Sequence, residues 1–268
     1  MSAQAAVTAK PRGAQRAMRF VLPVIVFAAG MLAWELLVRI KDIPPYVLPA
    51  PSVIVLTLIK DWAVLSQSLA TTLLTTLEGF AAASIGGIAL ALLFNQSKWV
   101  EYSLFPYAVV LQVTPVIAIA PLVNIWAGTD HPGRAVVALA VVVAFFPIYS
   151  GALAGLKAVD HDLSRLFDLY GARPLQRLFR LQVPSAVPFV LQGHKVAAGL
   201  AIVGAVVAEF VAGSGKVQGL AWRIMDASFK LQTAKMFAAL LVLGAMGVAL
   251  YALLQLAERA GLKWWRGR

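Results

Sequence analysis

The stretch Ala212–Val217, AGSGKV, is where this 268-residue chain comes nearest to a chemical motif. A phosphate-binding loop needs a glycine five positions before its second glycine, and Ser or Thr directly after the lysine. Here those positions hold Phe210 and Val217. The spacing therefore predicts no ATP hydrolysis by this chain, and Gly213, Ser214 and Gly215 read as a flexible end to an apolar helix. The chain has no cysteine, which removes thiol chemistry, disulfides and Cys-ligated metal. His131, His161 and His194 lie far apart with no ligand spacing and read as loop or interface residues. No catalytic residue, bound cofactor or metal is expected.

The elements that carry these residues are unusual in their apolarity. The chain is 60% hydrophobic and 13% charged, with a mean hydropathy of +0.81, whereas a soluble domain is roughly 25% charged. Apolar runs cover Phe20–Arg39, Gly79–Phe94 (extended back to Thr71), Tyr102–Thr129, Ala135–Leu156, Val196–Ala208 (extended to Ala212) and Met236–Ala257. A bilayer span needs about 20 mostly apolar residues, so an all-α, polytopic protein with six transmembrane helices is expected. The first run is longer than the apolar core of a signal peptide, which predicts an uncleaved first helix.

The net charge of +11 sorts by side. Fifteen Lys and Arg fall on the side of the termini and eight on the other. This is the positive-inside asymmetry, and it predicts cytoplasmic termini. The basic charge is topology, and no nucleic-acid partner is expected. The expected division is a basic N-terminus (1–19), a first transmembrane helix (20–40) and an external segment with an interfacial helix (41–68). A five-helix domain (69–257) with a cytoplasmic loop (157–190) and a basic tail (258–268) follow. Ser52 is expected to cap the interfacial helix, over Val53–Leu65.

Within the spans, Pro115 and Pro121 remove backbone donors from the third helix, whose freed carbonyls need partners inside the protein. They mark either a kinked helix at a gate or a packing kink. Glu209 lies at the end of the fifth helix, where a mid-bilayer carboxylate costs about 2.5–3.5 kcal/mol. It either lines the outer pathway or bonds a neighbouring helix near an external gate, or it sits at headgroup depth where the cost nearly vanishes. Glu35 and Glu78 read as snorkelling or capping residues near helix ends. The small residues of Gly79–Ala91 predict close helix packing.

The long loop carries four arginines between Leu156 and Pro188. Leu163, Leu166, Phe167 and Tyr170 share one helical face. Asp160 suits the N-cap, and Gly171 suits a left-handed C-terminal residue. Pro174 can open a second short helix with Leu175, Leu178 and Phe179 on one side. Such a hairpin either rests on lipid or on its own helices, or presents a knob to a partner; the residues alone favour the first.

The loop resembles the "EAA" loop of permease subunits of bacterial ABC importers: Glu-Ala-Ala, three residues, Gly, nine residues, then Ile-x-Leu-Pro. Gly171 holds the glycine, and Leu181-Gln182-Val183-Pro184 the end of the motif. The Glu-Ala-Ala positions read Arg165-Leu166-Phe167, a departure that turns the acidic position basic. LPAPS (Leu48–Ser52), TPVIAIAPL (Thr114–Leu122), FFPI (Phe145–Ile148) and VVAEFVAGSGKVQGLAWRI (Val206–Ile224) add to a resemblance nearest the nitrate, sulfonate and taurine branch and its vitamin-precursor relatives. The resemblance implies a type I importer permease fold in the bacterial inner membrane. It also implies a second copy of the chain, a cytoplasmic ATPase pair that holds ATP and Mg, and a periplasmic or lipid-anchored solute-binding protein. The segment Asp160–Arg173, with Asp160, Leu163, Arg165, Leu166, Phe167, Tyr170, Gly171, Ala172 and Arg173, would then dock in the ATPase, and Leu181, Val183 and Pro184 would close the loop. The rival reading, a self-contained ion-coupled carrier, predicts paired ionisable residues at mid-membrane. A membrane-embedded enzyme would need a nucleophile–base or metal cluster, which the sequence lacks.

Overall fold

The computed structural model describes residues 12–128, 132–212 and 217–266. Among them it is helical throughout, with no strand. The long helices are α1 (Arg12–Ile40), α3 (Trp62–Gln96), α6 (Pro132–Lys157), α9 (Val183–Ala212) and α11 (Thr233–Arg266), with α2 (Pro51–Lys60) between the first two. These five each hold a segment long and apolar enough to cross a membrane. A sixth span is the pair α4 (Lys98–Val113) and α5 (Val116–Ala127), bent by 103° at its break. Short helices α7 (His161–Leu169) and α8 (Pro174–Arg177) form the charged loop, and α10 (Leu220–Phe229) precedes α11.

The core is α6 packed between α3 and α9. On α3 the buried positions Gly79, Ala83, Gly87 and Ala91 recur every fourth residue, one stripe along the helix. Ala83 meets Ala144, Ile148, Ala197 and Ala201. Between α6 and α9 the backbones themselves touch: a methyl on Gly151 would stand 2.9 Å from the Phe189 carbonyl oxygen. Small residues let helix backbones approach where no hydrophobic force draws apolar helices together in lipid. Nearer the charged loop, Tyr149 is buried among Phe94, Phe145 and Phe146.

Several boundaries differ from the sequence expectation. The third span is not one kinked helix over Tyr102–Thr129. Pro115 has no N–H and drives Thr114 into an extended conformation (φ −69°, ψ 124°), so α4 ends and α5 starts afresh behind Pro115. The fifth span begins at Val183, not Val196, with Pro184, Pro188 and Lys195 inside α9. Pro188 cannot bond the carbonyl of Pro184, and the Trp265 indole N–H donates to that oxygen at 2.7 Å. Two prolines and a lysine in one stretch look like a loop, and a residue far along the chain makes them a helix.

The short helix expected over Val53–Leu65 is α2, which ends at Lys60 because α3 starts at Trp62, and its cap is Ala50 with Pro51 in the first turn, not Ser52. The Ser52 N–H and hydroxyl instead donate to the Glu35 carboxylate at 3.0 and 2.7 Å, so Glu35 of α1 caps α2 from outside. The connection between α9 and α11 also holds α10. Glu78 lies in the middle of α3, not near its end.

Candidate functional site

Two clusters of named side chains lie at opposite ends of the molecule. The first is the charged loop. The Asp160 side chain accepts from the Asp162 and Leu163 N–H groups at 2.8 and 3.4 Å, the N-cap that starts α7. Asp162 sits in the first turn, where the helix dipole favours negative charge. Gly171 ends the helix at φ +62°, with the Ala172 N–H returning to the Phe167 carbonyl at 3.0 Å. The Arg173 N–H donates to Gln176 at 2.9 Å across the start of α8.

The hairpin is braced from within. Arg177 pairs with Asp168 at 2.9 Å and also bonds Ser164, tying α8 to α7. Behind α8 the chain makes one π-helical turn, Leu178–Gln182, that buries Leu178 and Leu181 before Val183 opens α9. Asn95, at the end of α3, donates to Gln182 at 2.9 Å, and Glu101 of α4 pairs with Lys157 of α6 at 2.5 Å. The root of the loop is therefore held to the bundle while its tip is not. Leu163 and Leu166 are nearly half exposed, Phe167 is half-buried, Arg165 and Arg173 are exposed, and Leu169 and Tyr170 are 85% and 82% exposed.

The second cluster is built on Glu209, only 1% exposed. Thr72 of α3 donates its hydroxyl to the carboxylate at 2.7 Å, and the Ala221 N–H of α10 donates at 2.9 Å. The Leu220 N–H donates to the Thr72 oxygen at 2.8 Å. The first N–H groups of α10, orphaned by helix geometry, are thus capped by side chains of α3 and α9. Gly219 fits here because a methyl there would run into the Glu209 carboxylate. Glu209 accordingly bonds neighbouring elements rather than facing open space. Pro115 and Pro121 lie on the exposed face of α5 beside Ile117, Ile125 and Trp126, while the opposite face of α5 packs on α9 at Ala208 and Val211.

The remaining candidates fall elsewhere. His194 lies inside α9, bonded to Ser84 of α3 at 2.7 Å and to the Val190 carbonyl at 2.8 Å. His161 opens α7. His131 and Gly213–Lys216, the core of the AGSGKV stretch, lie outside the described residues. Sequence reasoning missed one pair. Lys195 and Glu258 meet at 3.1 Å between α9 and α11, both mostly covered, with Lys195 over the Tyr251 ring. The only signal was a lysine between apolar runs, which reads equally well as a loop end. Among the described residues no cluster of His, Asp and Glu could hold a metal.

Comparison with known proteins agrees with this architecture. The family model of the binding-protein-dependent transport system inner membrane component matches residues 83–260. The formylaminopyrimidine transport permease protein ThiX of Halalkalibacterium halodurans is 32% identical over 90% of this chain and 95% of its own. SsuC of Bacillus subtilis, assigned to aliphatic sulfonates transport, is 30% identical over 91% of this chain and 86% of its own. A crystal structure of an amino acid ABC transporter with histidines superposes with a TM-score of 0.61 at 18% identity, covering 76% of this chain and 97% of that one. It supports the fold. Six spans around a core of small residues, with this coverage by the family, make the chain a member of the binding-protein-dependent inner membrane components, the permease subunits of ABC transporters.

Proposed function

We propose that two copies of this chain form the membrane pathway of an ATP-driven importer, and that Asp160–Arg173 transmits the work of a separate ATPase. The observation that carries this reading is the state of α7. Its backbone is capped at both ends and braced by Arg177, yet Leu169 and Tyr170 stand almost wholly in the open. A rigid knob with an uncovered apolar tip is what a partner cleft can grip. Arginines flank the tip at Arg165, Arg173 and Arg180.

ATP and Mg would be held by the partner ATPase, and this chain would bind no cofactor. A solute-binding protein would deliver the solute at the other side. The charge asymmetry supports a bacterial inner-membrane protein with both termini in the cytoplasm. The names of the relatives support a small organic solute, a sulfonate or a pyrimidine- or flavin-type vitamin precursor. Lys195–Glu258 is the kind of pair an ion-coupled carrier would use, but here it joins α9 to α11 alongside the Trp265 bond.

Purification of the tagged protein in mild detergent from its own host, with mass spectrometry of what accompanies it, tests the reading. An ATPase subunit should accompany the full chain and be lost on deletion of 163–170, with membrane insertion kept. A chain that purifies alone and moves solute in ATP-free vesicles under an ion gradient would establish the carrier instead.

A further inference from the structure

We propose that the outer end of the permease holds a binding site for the oxyanion head of a small organic solute, organised by Arg223. The inference rests on the import reading above and names the chemistry of what passes. A cavity of about 360 Å³ opens between the outer half of α3 and the start of α10. Gln67, Ser68, Thr71 and Thr75 line it from α3, and Gln218 and Arg223 from the connection. No carboxylate lines it among the described residues. Its size is that of a small-ligand site, with one charge and several neutral polar groups.

The guanidinium is fixed before anything binds. Its Nε donates to the Ser68 hydroxyl at 3.0 Å, its Nη2 to the Gln218 side-chain oxygen at 2.7 Å, and it lies 4.9 Å over the Trp222 ring. Arginine only donates, so both partners must accept from it. The Gln218 amide NH₂ remains for a ligand, as do the guanidinium N–H groups not used here, while the buried Ser68 only holds the arginine. Thr71 and Thr75 spend their hydroxyl protons on carbonyls of α3, so the charge and the free donors both sit at Arg223 and Gln218, where an anion's oxygens are matched. Because the arginine is already held, binding loses little side-chain freedom. Ser68 is itself fully buried, on a helix pinned by the Thr72–Glu209 bond one turn further on.

Arg223 also lines a neighbouring cavity with Asp61 and Asp226, and both acids are paired with lysines there. Asp226 pairs with Lys230 at 2.8 Å, and Asp61 with Lys235 at 3.3 Å. A further cavity of about 520 Å³ shares Thr75 with the first and is lined by Arg134 and Glu78.

The test uses the purified permease complex in phospholipid-free detergent, with methanesulfonate as probe and Trp222 fluorescence as readout. Trp222→Phe identifies the signal. The expected result is a saturable response to methanesulfonate, absent with methylammonium, and weakened about tenfold or more in Arg223→Gln. Arg223→Lys should lie between. If Arg223→Gln does not fold, Gln218→Leu, which keeps the arginine and removes one donor, should weaken the response severalfold. An unchanged response in the variant that folds, or an equal response to methylammonium, overturns the site. Competition by dihexanoyl phosphatidylglycerol below the methanesulfonate concentration would assign it to a lipid headgroup and overturn the solute reading. An ATPase that co-purifies with no methanesulfonate response sinks this inference alone, while an Arg223-dependent response with no ATPase sinks the import reading alone.

Discussion

Glu209 and Gly219 specify each other. The carboxylate occupies the volume a Gly219 side chain would need, and Gly219 has an ordinary φ of −77°, so space and not backbone conformation demands the glycine. Gly219→Ala should lower the unfolding temperature of the detergent-solubilised protein, and Glu209→Asp, one methylene shorter, should recover part of the loss when combined with it. A coupling of about 1 kcal/mol between the two is expected for side chains in contact. Thr72→Val removes both a donor to Glu209 and an acceptor for the Leu220 N–H. It should cost about 1–3 kcal/mol in the same measurement, with Thr72→Ser close to wild type. Charge inside an apolar run marked Glu209 as a residue to explain. Its partner is 137 positions away, and nothing local in the chain announces that. Ser52 teaches the same lesson, because a residue that suits a helix cap served a carboxylate of another helix.

Among elements, α7 is the one most legible from the chain, since its signals are all local: Asp160 before it, an apolar face of period 3.6, Gly171 after it. Leu169 and Tyr170 contribute little to the fold, being exposed. Leu169→Ser with Tyr170→Ser should leave the unfolding temperature unchanged and abolish ATPase co-purification. If the pair of changes left assembly intact, α7 would not be the contact. Arg165→Glu should impair uptake and assembly, and an unchanged variant would show that Arg165 is no part of the contact. The helices read least well were those decided at a distance. α9 continues through Pro184 and Pro188 because Trp265 of α11 takes the freed carbonyl. Trp265→Phe keeps the ring and loses the N–H, so α9 and α11 should separate more easily. Faster amide exchange around Val183–Val190 would report it. The break between α4 and α5 was hidden for another reason: Pro106, Pro115 and Pro121 look alike in composition, and only Pro115 stands at a helix start.

For the whole molecule, the proposed pairing of two copies is expected on the apolar face of α4 and α5, where Ile117, Ile125 and Trp126 stand uncovered. The absence of cysteine makes this easy to check. Ile117→Cys or Trp126→Cys should give a disulfide-linked dimer on mild oxidation in the membrane, and Val24→Cys on α1 should not. The reverse pattern would move the interface to α1. The six-span class and the loop were written in composition and period, whereas the stacking order of the helices was not. Finally, α3 is one unbroken helix of 35 residues, about 52 Å long at 1.5 Å per residue, well beyond the ~30 Å of a hydrocarbon core. Asn95 near its lower end grips the π turn under the loop, and Thr72 near its upper end grips Glu209 and α10. Under the proposed coupling it would work as a pushrod, carrying a displacement at the root of the loop to the Glu209 cap.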